Sequence, residues 1–162
     1  MTILDLIISD LYEELKHKKL CVPVSQLEAS TLFERTTLSL SDRIRNSSSG
    51  IIAEHKRRSP SKPSINLNTS IHEVAQGYEK AGASGMSVLT NTKYFGGCLD
   101  DLILARATTQ LPLLRKEFII DEYQIIEAKA FGADAILLIA ACLKRNQIKA
   151  LSETAQKLGL EV

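Results

Sequence analysis

Residues 134–141 read DAILLIAA, apolar at every position after the leading aspartate. A strand with one wet face alternates, so an unbroken apolar run fits a strand covered on both faces, as in a parallel sheet. What flanks the run supports this. A helical pattern runs from Asp121 to about Phe131 and stops at Gly132, and another spans 144–158 and stops at Gly159. Further back the same alternation recurs. Strands are expected at 112–118, 85–90 and 51–56, and helices at 99–107 and 70–81, the latter stopped by Gly82. The breaker NSSSG at 46–50 opens this region, and Glu161-Val162 looks like the first step of a fifth strand.

Four strand–loop–helix units at a spacing of about 25–30 residues imply parallel strands joined by right-handed crossovers, an α/β class. Two architectures suit them, an open doubly wound sheet and a (β/α)₈ barrel. No G-x-G-x-x-G follows any strand, so a dinucleotide fold has no support. Four units are half a barrel. Ahead of them, Ile3, Leu4, Ile7, Ile8, Leu11 and Leu15 recur at helical spacing behind a capping Thr2. Short helices are expected near 25–31 and 39–45, and 91–97 reads as a loop.

The totals exclude several classes. With 20 Lys and Arg against 19 Asp and Glu, the formal charge of +1 offers no basic face for nucleic acid. No apolar run approaches the roughly 20 residues of a membrane span, and no signal-peptide layout follows Met1. Cys21, Cys98 and Cys142 lack C-x-x-C spacing and read as reduced thiols of a cytoplasmic protein. His17, His55 and His72 form no ligand cluster, so no metal site is expected.

Chemistry concentrates at 51–61, IIAEHKRRSPS. In a strand, Ile52, Glu54 and Lys56 share one face and Ile51, Ala53 and His55 the other. A carboxylate and an ammonium on one face suit a ligand pocket, and equally a solvated edge strand with a Glu–Lys pair. In barrels, active sites occupy the C-terminal ends of the strands. Lys116, sharing a face with Leu114 and Phe118, would bring a second ammonium to the same mouth, where proton transfer, a Schiff base or a structural ion pair are all open to it. Arg57 and Arg58 form a local positive patch, Ser59 offers a turn hydroxyl, Phe95 an aromatic wall, and Asp100 and Asp101 look like helix-start charges.

Taken together, IIAEHKRRSPS, SVLTNTKYFGG at 87–97 and LPLLRKEFIIDEYQIIEAKAFGADAILLIA at 111–140 resemble indole-3-glycerol phosphate synthase of tryptophan biosynthesis. The departures are small: Glu117 stands where Asp is usual, Pro63 where Gly is usual, and Asn91 where an acidic residue follows V-L-T. The resemblance implies a (β/α)₈ TIM barrel, with 1–49 a helical extension and 50–162 the N-terminal half of the barrel. It implies a carboxy-lyase that closes the ring of 1-(2-carboxyphenylamino)-1-deoxyribulose 5-phosphate with loss of carbon dioxide and water, without cofactor or metal. By position, Lys116 resembles the general acid, Lys56 the lysine that binds the substrate carboxylate, and Glu54 the carboxylate that orients Lys56. Ser59 matches a phosphate contact, and Phe95 and Leu137 match the pocket around the anthranilate ring. It also implies that a chain ending on entry to the fifth unit lacks turnover by itself. The alternative is a non-catalytic half barrel that self-associates through open strand edges or complements a second half.

Overall fold

The computed structural model describes residues 2–162. Four parallel strands, β1 (Ile52–His55), β2 (Gly85–Leu89), β3 (Leu113–Lys116) and β4 (Ala135–Ile136), lie in the order β1-β2-β3-β4. Helices alternate with them, so the region has the strand order and crossovers of the first part of a (β/α)₈ barrel. Counting from the start of the chain, α1 is Ile3–Cys21, α2 Val24–Glu28 and α3 Leu40–Arg45, all before β1. Then come α4 (Ile71–Lys80), α5 (Thr92–Phe95), α6 (Leu99–Thr108), α7 (Glu122–Ala130) and α8 (Arg145–Lys157).

Capping explains the helix starts. Thr2 and Ser70 each accept from the backbone N–H three residues on, while Asp5 and Glu73 bond back to the cap. Asp121 accepts from Tyr123 N at 2.9 Å, so it caps α7 and the helix proper begins one residue later than the pattern implied.

The helices of the barrel region and the outer faces of the strands share one core, which includes Val74, Met86, Val88, Leu102, Leu113, Ile125 and Ile136. The leading helices build a second, smaller cluster in which Leu11, Leu15 and Leu27 meet Ile120, Tyr123 and Ala130 of the α7 region. Polar contacts tie the same surfaces: Tyr123 donates to Val22 O at 2.8 Å, and Lys18 pairs with Glu127 at 3.1 Å.

Two elements differ from the sequence expectation. The fourth strand is only Ala135–Ile136, and Ala140–Cys142 turns as a 3-10 helix. The ladder explains this: Arg115 faces Ile136 and β3 ends at Lys116, so residues beyond Ile136 have no partner there. Past Lys116 the Phe118 N–H, which by alternation points towards β2, goes to the Glu117 side chain at 3.0 Å, so the β2–β3 ladder is not continued either. The second difference is α5, a single helical turn inside the expected 91–97 loop. Asn91 caps it through Tyr94 N at 3.0 Å. One turn is too short to leave a periodicity.

Candidate active site

Parallel register brings the charges of β1 and β3 together across β2. Glu54 lies opposite Ser87, Ser87 opposite Leu114, and Lys116 opposite Leu89, all on the sheet face away from the helices. Glu54 therefore sits one pleat below Lys116 and two strands away, a gap that a lysine side chain spans. The result is a three-membered charge cluster. Lys116 Nζ lies 2.8 Å from Glu54 Oε2, Lys56 Nζ lies 2.9 Å from Oε1, and Ser87 Oγ donates to Oε2 at 3.1 Å. Burial alone would push the Glu54 carboxyl up, but hydrogen bonds and charge from Lys116 and Lys56 outweigh it and hold the group below its ordinary value.

The two ammoniums open into a recess lined by Lys56, Lys116, Leu89, Asn91, Phe95, Glu117, Phe118 and Ile139. The Phe95 and Phe118 rings stand 6.3 Å apart and form its aromatic side. A site of this shape combines cations for anionic or carbonyl oxygens, a carboxylate that can pass a proton between two amines, and a flat apolar wall.

The loops around the recess are held by side chains whose part the sequence did not reveal. Asp101 is buried and forks onto Arg57, with Oδ2 at 2.5 Å and Oδ1 at 2.8 Å, and also accepts from Cys98 N at 3.1 Å. It is a helix-start charge, as expected, and also the anchor of the β1 loop. Helical phase carried the signal, because Asp101 shares the inward face of α6 with Ala105. The hydrogen bond and charge of Asp101 raise the Arg57 guanidinium above its ordinary value. Arg58 donates to the Thr92 and Lys93 carbonyls at 2.8 and 3.2 Å, so this arginine pair fastens the β1 loop to α5. From the other side, Asp10 of α1 meets Lys93 Nζ at 2.5 Å and accepts from the Tyr94 hydroxyl.

Of the residues singled out in the sequence, Glu54, Lys56, Lys116 and Phe95 come together here. Ser59 and Leu137 do not line the recess. Ser59 Oγ accepts from Lys62 N at 3.1 Å and shapes the Ser-Pro-Ser turn. Leu137 is half-buried, and Ile139, two residues on, lines the recess instead. Among the described residues no group of three or more His, Cys, Asp or Glu side chains could hold a metal ion, and no helix is long and apolar enough to cross a membrane.

Comparison with known proteins gives a consistent result. The family model for indole-3-glycerol phosphate synthase matches residues 4–162. The indole-3-glycerol phosphate synthase of Bacteroides thetaiotaomicron is 45% identical over 160 residues, covering 99% of this chain and 62% of that protein. Its counterpart from Polynucleobacter asymbioticus is 55% identical over 113 residues, 70% of this chain and 42% of its own length. The Campylobacter jejuni protein of the same name is 44% identical over 163 residues, 98% of this chain and 63% of its own. The chain spans about three-fifths of the length of the curated relatives it matches end to end.

Proposed function

The chain belongs to the indole-3-glycerol phosphate synthase family, and from that premise we propose that its recess holds the carboxyphenylamino end of 1-(2-carboxyphenylamino)-1-deoxyribulose 5-phosphate during ring closure in the cytoplasm. The observation that carries this reading is the Glu54 carboxylate bonded at once to Lys116 and Lys56 at the rim of an aromatic recess.

Lys116 is the general acid. As the ring carbon bearing the carboxylate attacks the ribulose carbonyl, the carbonyl π electrons move to oxygen and the Lys116 ammonium protonates it to a hydroxyl. Loss of carbon dioxide then returns its electron pair to the ring, and loss of the hydroxyl as water with one proton completes the indole. Lys56 pairs with the substrate carboxylate until it leaves. Glu54 orients both amines and, lying 2.8 Å from Lys116, can return a proton to it. The ring lies against Phe95; Leu137, just past the end of β4, and the Ser59 hydroxyl, in the turn after β1, lie outside the recess and would meet the ring edge and the phosphate only beyond it.

The test is turnover of the deoxyribulotide by the full-length protein carrying these residues. Lys116→Ala should remove it, by at least the roughly 10²–10⁴-fold a general acid supplies. Turnover that survives would refute the role of Lys116.

A second reading attaches to the outer edge of β1. There Ile51 and Ile52 are exposed, and no other strand of the described residues pairs with β1 on that side. Such an edge favours pairing with a second copy or a complementary segment, as a non-catalytic assembly would use it. A monomer by light scattering, at concentrations that populate any assembly, would exclude it.

A further inference from the structure

Asn91 and Glu117 line the recess but have no part in the chemistry above. In the fold the two side chains touch. Asn91 Nδ2 donates to Glu117 Oε1 at 3.2 Å. The Glu117 carboxylate is buried, and its other donors are the Thr90 hydroxyl at 3.1 Å and the Phe118 N–H at 3.0 Å.

On its opposite side Asn91 Oδ1 accepts from Tyr94 N at 3.0 Å and so caps α5. Its backbone carbonyl accepts from Phe95 N and Gly97 N, each at 3.2 Å. The amide orientation is fixed by its partners, because a carboxylate can only accept and a backbone N–H can only donate. Asparagine satisfies both at once. Aspartate would cap the turn equally well but would set an anion against Glu117 at hydrogen-bond range. The Glu117 orientation is thereby passed through one side chain to the turn that carries Phe95.

We propose that Asn91 and Glu117 are a coupled pair of positioning residues that holds Phe95 as the wall of the recess and so sets affinity for the aromatic carboxylate end of the substrate. The pair rests on the synthase reading of the recess and adds to it the determinant of aromatic binding. Neither side chain moves a proton in the reaction; each acts through the placement of Phe95.

The experiment is a swap of donor and acceptor in the full-length protein. Asn91→Asp, Glu117→Gln and the double variant are compared for KM, kcat and the Kd of 2-aminobenzoate. Asn91→Asp should raise KM and Kd about tenfold while kcat changes much less, because it turns a charged hydrogen bond into a like-charge contact. The double variant should regain part of the lost affinity, since Glu117→Gln removes the like charge facing the carboxylate introduced at position 91; recovery is partial because Oε1 also accepts the Phe118 N–H, a bond lost if the amide nitrogen turns to that side. Were Asn91→Asp not to fold, Asn91→Ser retains the cap, drops the link to Glu117 and should show the same rise in KM. Affinity unchanged in the single variants, or losses that simply add in the double, would overturn the pairing. Failure of the unaltered protein to bind 2-aminobenzoate or to turn over substrate would instead overturn the synthase reading on which it rests.

Discussion

Replacing Asp134 with asparagine should destabilise the fold more than any change at the recess. Asp134 is fully buried at the start of β4, and each carboxylate oxygen accepts twice. Oδ1 takes Arg35 Nη2 at 2.7 Å and Leu38 N at 2.8 Å; Oδ2 takes Arg106 Nη1 at 3.0 Å and Leu113 N at 2.8 Å. One aspartate thus joins the segment after α2, helix α6 and strand β3. Asparagine keeps the shape but turns an NH₂ group towards two donors, so one arginine and one backbone N–H lose their acceptor. A hydrogen bond to a charged group contributes about 1.5–3 kcal/mol and a neutral one about 1 kcal/mol, which sums to roughly 2.5–4 kcal/mol. Leaving a buried guanidinium without its anion places the cost in the same range of about 3–5 kcal/mol. Arg106 keeps the Leu111 carbonyl at 3.1 Å, and the Arg35 side chain is 22% exposed and can turn to water, so the lower end is expected. Urea unfolding followed by circular dichroism should show the midpoint falling with the slope unchanged, and the melting temperature dropping by about 10 °C. A loss below about 1 kcal/mol would refute the reasoning, since it would mean the four bonds are replaced by water without penalty.

Two further outcomes follow from the structure. His55 is buried on the helix side of β1 with Nε2 unpartnered, and burial together with the Arg57 charge pushes its imidazole below the ordinary value of 6.5. The unfolded chain therefore binds the proton first as pH falls through 6.5. Stability that is fully present above that pH is lost between it and the lower native value, and His55→Gln should flatten this part of a urea-midpoint profile; an unchanged slope would count against the assignment. Gly97 is needed for close approach rather than for a left-handed backbone: a Cβ built there would lie 1.8 Å from the Leu89 carbonyl oxygen and 2.6 Å from its carbon. Gly97→Ala should force the α5 loop off β2, costing about 1–3 kcal/mol and raising KM, and a variant with native melting temperature and KM would contradict the packing.

The sequence made the units of this fold legible because each carries its own punctuation. Ser70 opens α4 and Gly82 closes it, Asp121 opens α7 and Gly132 closes it, and the apolar runs fall between. What it could not supply was anything decided by a distant partner. The length of β4 depends on the neighbouring strand, which ends at Lys116 and offers no ladder partner beyond Arg115. The single turn of α5 depends on a cap, and Asp101 acquires its second part only when Arg57, 44 residues earlier, folds over it.

The same division runs through the site. Strand alternation was enough to place Glu54 and Lys56 on one face, but it left a solvated ion pair and a ligand pocket equally available. What alternation could not show is the register across β2: with Glu54 opposite Ser87 and Lys116 opposite Leu89, both amines reach one carboxylate. A surface pair needs one cation per anion. Here one carboxylate is shared by two ammoniums that face a recess with an aromatic wall, and a second carboxylate, Glu117, lines the same recess while held by Thr90, Asn91 and the Phe118 N–H. Each ammonium spends one N–H on Glu54 and has others left beside a flat apolar wall, an arrangement that would suit an anionic or carbonyl oxygen carried on an aromatic group.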